Sequence, residues 1–140
     1  FGMRVRYLNP SPRDAEAAAV GAERCATLEE LLATSDVVSL HCPATAGTRH
    51  LIDAAALAHA RPGSILVNTA RGDVVDAEAV AAALRDGRLA AAGLDVFERE
   101  PEVPASLLAL ENVVLLPHLG SATVRTRRAM GDKAAGNVDA

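Results

Sequence analysis

Residues 65–101 read ILVNTARGDVVDAEAVAAALRDGRLAAAGLDVFEREP, and this stretch decides the fold. It begins with an apolar, β-branched run at residues 65–69, which is typical of a strand buried in a parallel sheet. The Ala-rich segment 76–86 favours a helix that Asp76 caps and Gly87 ends. A second strand is predicted at residues 92–96. Strand, helix and strand in this order predict a crossover unit of an α/β fold.

The same alternation continues on both sides of this stretch. Thr27 and Glu30 match a capping box, in which a hydroxyl and a carboxylate satisfy free backbone donors at a helix start. We therefore predict five strands of a parallel sheet, connected by helices. The remaining strands are predicted at residues 5–8, 37–41 and 113–116, and the remaining helices at residues 14–20, 27–34, 53–60 and 122–140.

Composition limits the classes of function. The 140 residues are 50% apolar and 23% charged, as expected for one globular domain. An aromatic content of 2% favours a core of aliphatic side chains between helices and a sheet. A net charge of −4 with no basic block argues against a nucleic-acid surface. No apolar run approaches the length of a membrane span, which is about 20 residues. The expected partner is therefore a small molecule or another protein.

The two cysteines and the first residues concern the setting of the chain. Cys25 and Cys42 have neither CxxC spacing nor histidines in zinc order, so we expect no metal site and no disulfide. A reduced, cytoplasmic setting fits best. Residues 1–4, Phe-Gly-Met-Arg, lack the regions of a signal peptide and are typical of a segment cut from a longer chain.

Polar or turn residues follow every predicted strand. Ligands of open parallel sheets bind at the carboxyl ends of the strands, so these segments are where a site is expected. They are Asn9-Pro-Ser-Pro-Arg13, His41-Cys-Pro-Ala-Thr45, Ala70-Arg-Gly-Asp73, Phe97-Glu-Arg-Glu-Pro101 and Pro117-His-Leu-Gly-Ser121.

Four side chains in or beside these segments are chemically informative, although each also has a simple structural interpretation. His118 lies in a turn that opens a helix, where it is either a proton donor in a cleft or a surface histidine. Arg71 carries a planar fork suited to a carboxylate, or forms a loop salt bridge. Glu100 by itself belongs to a solvated charge run. Asp95 interrupts an apolar strand, where an unpaired charge is costly.

Three stretches together resemble a known family. They are LHCPATAGTRHLI at 40–52, the stretch 65–101, and NVVLLPHLGSAT at 112–123. They closely resemble the D-isomer-specific 2-hydroxyacid dehydrogenases, over nearly the whole chain. The resemblance implies a Rossmann-like, doubly wound parallel sheet, in which residues 1–140 form the larger, C-terminal part of the dinucleotide-binding domain.

The chain contains no G-x-G-x-x-G, the phosphate-binding loop of a dinucleotide fold. By the resemblance, the first strand, the glycine loop and the first helix are expected directly upstream of Phe1. The substrate domain is expected elsewhere in the longer protein. The isolated fragment is therefore expected to bind coenzyme poorly and to be inactive.

The resemblance also implies residue roles. Arg71 would hold the substrate carboxylate, His118 would protonate the keto oxygen, and Glu100 would bond the other imidazole nitrogen. Asp95 would orient the nicotinamide carboxamide. The other positions expected to approach the dinucleotide are Cys42, Pro43, Thr48, Thr69, Ala70 and Gly120, together with Arg71 and His118 themselves.

The choice of coenzyme depends on the segment after the first predicted strand. NAD-specific folds place an acid where this chain has Asn9. Asn9, Ser11 and Arg13 offer donors and a positive charge to a 2′-phosphate, which resembles the NADP-preferring glyoxylate and hydroxypyruvate reductase branch. NADP is therefore favoured over NAD. The alternative is a Pro-rich turn with a solvated Arg13.

The implied function is NAD(P)H-dependent reduction of a small 2-oxoacid, of the glyoxylate or hydroxypyruvate type, to the D-2-hydroxyacid. The resemblance also implies a homodimer. One alternative is a dinucleotide-sensing binding module like the corepressors that share this fold. Another is a phosphoglycerate or formate dehydrogenase of the same family. No nucleic-acid or membrane partner is expected.

Overall fold

The computed structural model describes residues 2–11 and 13–138. Strands and helices alternate along nearly all of this length. In chain order the elements are β1 (Arg6–Tyr7), α1 (Asp14–Val20), β2 (Glu23–Arg24), α2 (Leu28–Thr34), β3 (Val37–Leu40), α3 (Ala54–Ala58), β4 (Ser64–Asn68), a 3₁₀ turn (Gly72–Val74), α4 (Ala77–Arg85), β5 (Leu89–Leu94), α5 (Ala105–Leu108), β6 (Val113–Leu115) and α6 (Val124–Val138).

The strands form two sheets, and every pairing is parallel. One sheet pairs β1 with β2, and the other has the order β3-β4-β5-β6. Parallel neighbours end at the same edge of a sheet, so the segments after β3, β4, β5 and β6 meet at one edge. The predicted α/β fold class with parallel strands is therefore confirmed. The predicted single sheet of five strands is wrong, because β1 pairs with β2 in a separate two-stranded sheet.

The core lies on one face of the four-stranded sheet. Val38, Leu66 and Ala92 are cross-strand neighbours on this face, and all three are buried. They pack in one cluster with Leu57 of α3 and Val80 of α4. A core of this kind needs only aliphatic side chains, in agreement with the low aromatic content.

The opposite face of the same sheet is open within the described residues. Val37, Ile65 and Val114 lie on this face and are 48%, 37% and 60% exposed. From the apolar runs we predicted that helices cover both faces of the sheet. The described helices cover only one face, and α6 buries none of its residues. None of the helices in the described ranges is long and apolar enough to cross a membrane.

The helix starts predicted at Thr27 and Asp76 are confirmed by side-chain caps. The hydroxyl of Thr27 accepts a hydrogen bond from the backbone N–H of Glu30, and Asp76 accepts two from the first turn of α4. The reciprocal bond of the predicted capping box differs by one residue, since the Glu30 carboxylate accepts the N–H of Ala26 at 2.8 Å. Caps are local, which is why the sequence locates them well.

Other boundaries differ from the prediction. β5 begins at Leu89 and ends at Leu94, whereas the prediction was 92–96. Its Ala-rich start has low intrinsic strand preference, and pairing with β4 overrides that preference. Asp95 consequently lies just after the strand and not within it. The two-residue strand β2, the 3₁₀ turn and the four-residue α5 were not predicted, because such short elements carry no readable periodicity.

Two adjacent residues of β4 test which face of the sheet carries the core. Leu66 is 1% exposed and Ile65 is 37% exposed. In the 140-residue chain, Leu66→Ala should lower the free energy of unfolding by about 2–5 kcal/mol, because it leaves a cavity. Ile65→Ala is the matched control and should cost at most about 1 kcal/mol. Urea denaturation measures both, and equal losses would contradict this assignment of faces.

Candidate active site

A histidine and a glutamate meet where β5 and β6 end. His118 Nδ1 lies 2.8 Å from Glu100 Oε2. The other oxygen, Glu100 Oε1, accepts the backbone N–H of Phe97 at 3.0 Å. Glu100 is thus held by the backbone of its own turn, and it orients the imidazole of His118. His118 Nε2 has no hydrogen-bond partner among the described residues, so this nitrogen is available to a ligand.

Asp95 holds the turn that carries His118. Its side chain is buried, and its two oxygens accept the backbone N–H groups of Leu119 at 2.7 Å and Gly120 at 3.2 Å. These charge-assisted bonds offset the cost of burying a carboxylate. His118 has a φ of 55°, in the left-handed region that non-glycine residues seldom adopt. The predicted contact of Asp95 with a nicotinamide stays a prediction.

Arg71 lies in the segment after β4, where a buried asparagine shapes the backbone. The Nδ2 of Asn68 donates to the carbonyl oxygen of Arg71 at 2.9 Å, and its Oδ1 accepts the N–H of Ala70 at 3.0 Å. Asn68 is fully buried. Arg71 itself is exposed, and its Nη1 donates to the carbonyl oxygen of Ala70 at 2.6 Å. The guanidinium is therefore reachable from solvent on a fixed backbone.

The three predicted catalytic residues also interact electrostatically. The pKa of Glu100 is lowered from its ordinary value, first by the hydrogen bond with His118 and next by the N–H of Phe97. The positive charge of Arg71 contributes a smaller lowering of the same pKa. Glu100 therefore remains a carboxylate to a lower pH than a free glutamate does. The structure brings Arg71, Glu100 and His118 to one edge of the sheet.

The glutamate and the histidine border an open groove of about 250 Å³. Its other walls are mainly apolar, and they come from the segments after β5 and from the end of β6. They are Phe97, Pro101, Val103, Leu115, Leu116 and Pro117. A small organic molecule could occupy this space with a polar end at His118 and an apolar end against these walls.

Most predicted coenzyme positions lie at the same edge of the four-stranded sheet. The hydroxyl of Thr48 donates to the carbonyl oxygen of Pro43 at 2.6 Å and accepts the N–H of Thr45 at 2.8 Å, which closes the turn after β3. Cys42 and Ala70 are half-buried, whereas Thr69 and Gly120 are exposed. Both cysteines of the chain are free.

Asn9, Ser11 and Arg13 lie apart from these residues, beyond β1 of the two-stranded sheet. Asn9 Nδ2 donates to the carbonyl oxygen of Ser11 at 3.0 Å, and Arg13 forms an exposed ion pair with Glu16 at 3.6 Å. Arg24 at the end of β2 donates to the carbonyl oxygen of Asn9 at 3.2 Å. The sequence did not reveal Arg24 as a neighbour, because β2 was not predicted.

Other residues that shape the site were also missed. Asn68 could have been detected from the sequence, because it is a polar amide inside an apolar strand. Glu98 looked like part of a solvated charge run, but it contacts Arg49 and His50. In the part of the chain that the structure describes, no group of three or more His, Cys, Asp or Glu is placed to hold a metal ion.

Known proteins are similar to this chain over most of its length. Residues 1–120 match the family model of the D-isomer specific 2-hydroxyacid dehydrogenase, NAD binding domain. A hydroxyphenylpyruvate reductase of Plectranthus scutellarioides is 50% identical over 111 residues, which is 79% of this chain and 36% of that protein. A glyoxylate/hydroxypyruvate reductase B of Erwinia tasmaniensis is 48% identical over 99% of this chain and 43% of that protein.

Solved structures are similar over the same range. The holo form of Rhodotorula graminis D-mandelate dehydrogenase has a TM-score of 0.92 and 44% identity, over 99% of this chain and 40% of that one. An NADPH-dependent glyoxylate/hydroxypyruvate reductase of Sinorhizobium meliloti, in complex with NADP and malonate, has a TM-score of 0.86 and 40% identity, over 94% of this chain and 40% of that one. The chain thus spans about two fifths of the length of its relatives.

The contact between Glu100 and His118 predicts a pH-dependent contribution to stability. The pKa of Glu100 in the folded chain is below its ordinary value of 4.5. Its carboxylate therefore stabilises the folded state above the pKa of the unfolded chain, and this stabilisation is lost as the pH falls through the lowered folded-state pKa. Glu100→Gln should be less stable than wild type at about pH 6, and the difference should shrink toward about pH 3.

Urea denaturation of both chains across this pH range measures the difference. The effect is expected to be small, because the Glu100 side chain is 37% exposed. Glu111→Gln, at an exposed glutamate in another segment, is the control for removal of one negative charge. A stability difference between wild type and Glu100→Gln that stays constant with pH would contradict the assigned contact.

Proposed function

Because this chain belongs to the D-isomer specific 2-hydroxyacid dehydrogenases, matching their NAD-binding domain, we propose that it forms part of an enzyme that reduces a small 2-oxoacid with NAD(P)H. Residues 1–140 would be the larger, C-terminal part of the dinucleotide-binding domain. The product would be the D-2-hydroxyacid. The named activities of the relatives support this class of reaction, since they are reductases of glyoxylate, hydroxypyruvate and hydroxyphenylpyruvate.

The observation that carries the proposal is the contact of 2.8 Å between His118 Nδ1 and Glu100 Oε2. A carboxylate at Nδ1 orients the ring by accepting the hydrogen bond of the N–H there, and leaves Nε2 to exchange a proton with a substrate. The pair lies at the carboxyl edge of a parallel sheet, where ligands bind. A histidine placed in this way is suited to acid/base catalysis.

Each side chain then has one role. When bound, the nicotinamide coenzyme supplies the hydride. His118 Nε2 gives a proton to the keto oxygen, and in the reverse direction it removes the proton from the hydroxyl. Glu100 stabilises the imidazolium in its catalytic orientation. Arg71 binds the substrate carboxylate through its guanidinium. Acid/base catalysis of this kind contributes about 10²- to 10⁴-fold.

The chemistry of the segment after β1 fits NADPH better than NADH. Asn9 provides an amide where an acid would repel a 2′-phosphate, and Arg13 and Arg24 place two guanidinium groups at or beside the same segment. The hydroxyl of Ser11 adds another donor. We therefore favour NADP, with NAD as the alternative. The similar enzyme of S. meliloti is NADPH-dependent.

The proposal includes a setting and an assembly. The half-buried Cys42 and the buried Cys25 are both free, which supports a reducing, cytoplasmic compartment. The homodimer rests on the family resemblance alone.

We also propose that seven further residues lie near the dinucleotide, because all of them follow strands at the edge that carries His118. They are Asp95, Cys42, Pro43, Thr48, Thr69, Ala70 and Gly120.

The direct test is steady-state reduction of glyoxylate and hydroxypyruvate by the longer protein that contains this chain. We expect turnover with NADPH or NADH, and in His118→Ala a loss of kcat of about 10²-fold or more with coenzyme affinity retained. Arg71→Ala should chiefly raise KM for the 2-oxoacid, because a carboxylate contact is lost. Arg85→Ala, on the exposed end of α4, is a matched control for removal of an arginine.

Three results would decide against the proposal or against one of its residue roles. Tight coenzyme binding without turnover of any small 2-oxoacid would favour the corepressor-like binding module. Turnover of phosphoglycerate or formate alone would favour those dehydrogenases. A His118→Ala enzyme as active as wild type would remove His118 from the catalytic role, whatever the substrate.

The coenzyme preference has a separate test. Arg13→Ala and Arg24→Ala should each raise KM for NADPH by about 10-fold, the effect of losing one charge-assisted bond to a phosphate, and should leave KM for NADH nearly unchanged. The ratio of kcat/KM for the two coenzymes measures this, again with Arg85→Ala as the control. An unchanged ratio in both variants would show that neither guanidinium contacts a 2′-phosphate.

A further inference from the structure

The turn of residues 97–101 carries Glu100, and it is held from two sides by residues that the proposed reaction does not use. We propose that Gly72, Arg49 and Glu98 are positioning residues, which lock this turn so that Glu100 meets His118 at a fixed distance from Arg71. The inference rests on the proposed function, because it concerns the same catalytic pair. It assigns a role to a glutamate and an arginine that otherwise look like surface charges.

Gly72 provides the first restraint, which is steric. A Cβ at this position would overlap the carbonyl carbon of Phe97 and the backbone nitrogen of Glu98. Both are backbone atoms, so no side-chain movement can relieve the overlap. The φ of Gly72 lies outside the left-handed region, which means that glycine is needed here for the close approach and not for its conformation.

This approach joins two segments of the candidate site. Gly72 directly follows Arg71, and Phe97 opens the turn that carries Glu100. The backbone contact therefore sets the spacing between the guanidinium that would bind a carboxylate and the pair that would transfer the proton. Any larger residue at position 72 must push these two segments apart.

Glu98 provides the second restraint, through charge. Its Oε1 lies 2.7 Å from Arg49 Nη2, and its Oε2 lies 3.4 Å from His50 Nε2. The pKa of Glu98 is lowered, chiefly by the hydrogen bond from Arg49. Arg49 and His50 belong to the segment after β3, so this pairing reaches across to a third loop.

The three loops are closed into one unit by a further backbone bond. The N–H of His50 donates to the carbonyl oxygen of Asp73 at 2.7 Å, which joins the segment after β3 to the 3₁₀ turn after β4. The segment after β4 contacts the turn after β5 at Gly72, and that turn contacts the segment after β3 at Glu98. Each loop is thus held by the other two.

The two glutamates of the turn have different contacts. Glu98 faces away to Arg49 and His50, whereas Glu100, two residues later, faces His118 and closes the turn by accepting the N–H of Phe97. A shift of this turn would carry Glu100 away from the imidazole. Displacements of about 1 Å at a catalytic group can cost about 10²-fold in rate.

The test uses the longer protein with Glu98→Gln, Arg49→Ala and the double variant. We expect the imidazole ¹⁵N signals of His118 in the spectra of both single variants to move toward those of Glu100→Gln. We expect kcat to fall by about 10-fold or more, with the KM for coenzyme unchanged. The double variant should be no worse than either single one, because the two residues act as one pair. Glu102→Gln is the control for a nearby carboxylate.

Gly72→Ala should produce the same changes more severely, and Gly72→Ser more severely still. If these proteins do not fold, the Glu98 and Arg49 variants decide the question. A folded Glu98→Gln protein with unchanged His118 signals, or with unchanged kcat, overturns the inference. Absence of turnover in the wild-type protein is a failure of the proposed function, and the His118 signals then decide the positioning role alone.

Discussion

The parallel pairing of β4 with β5 is the constraint on which the site depends. The register sets Asn68 opposite Leu94, and the backbone N–H of Asp95 continues the ladder by donating to the carbonyl oxygen of Asn68 at 3.0 Å. Both strands therefore end together. The segment that bears Arg71 leaves the sheet beside the segment that bears Glu100, and a register shift of one residue would separate them and reverse the faces of their side chains.

At this edge, buried polar groups shape the backbone, and exposed ones are left to a ligand. Asn68 and Asp95 are buried, and each uses both polar atoms of its side chain on neighbouring backbone groups. A buried amide or carboxylate is tolerated when it is fully bonded in this way. Arg71, Glu100 and His118 are exposed on the loops that these groups hold. Within the same turns, the buried side chains thus stabilise the backbone, and the exposed side chains are the ones proposed to carry the chemistry.

Sequence patterns located much of this arrangement. The caps at Thr27 and Asp76 depend on contacts two or three residues apart, and the helices that follow them were placed almost to the residue. The Arg71, Glu100 and His118 set was predicted because each residue follows a strand and because the family resemblance joins the three. The start of β5 was misplaced, because an Ala-rich run is a strand only when a partner strand pairs with it.

By itself, the sequence determined the order of the longer elements, the helix starts at Thr27 and Asp76 and the chemical groups that follow the predicted strands, because local spacing and capping control these features. The tertiary structure alone decided which loops touch. Glu98 meets Arg49, which is 49 residues away in the chain, and Gly72 meets Phe97, because three parallel strands end at one edge. Such contacts depend on strand register and on space between backbones, and neither is encoded in a short stretch of residues.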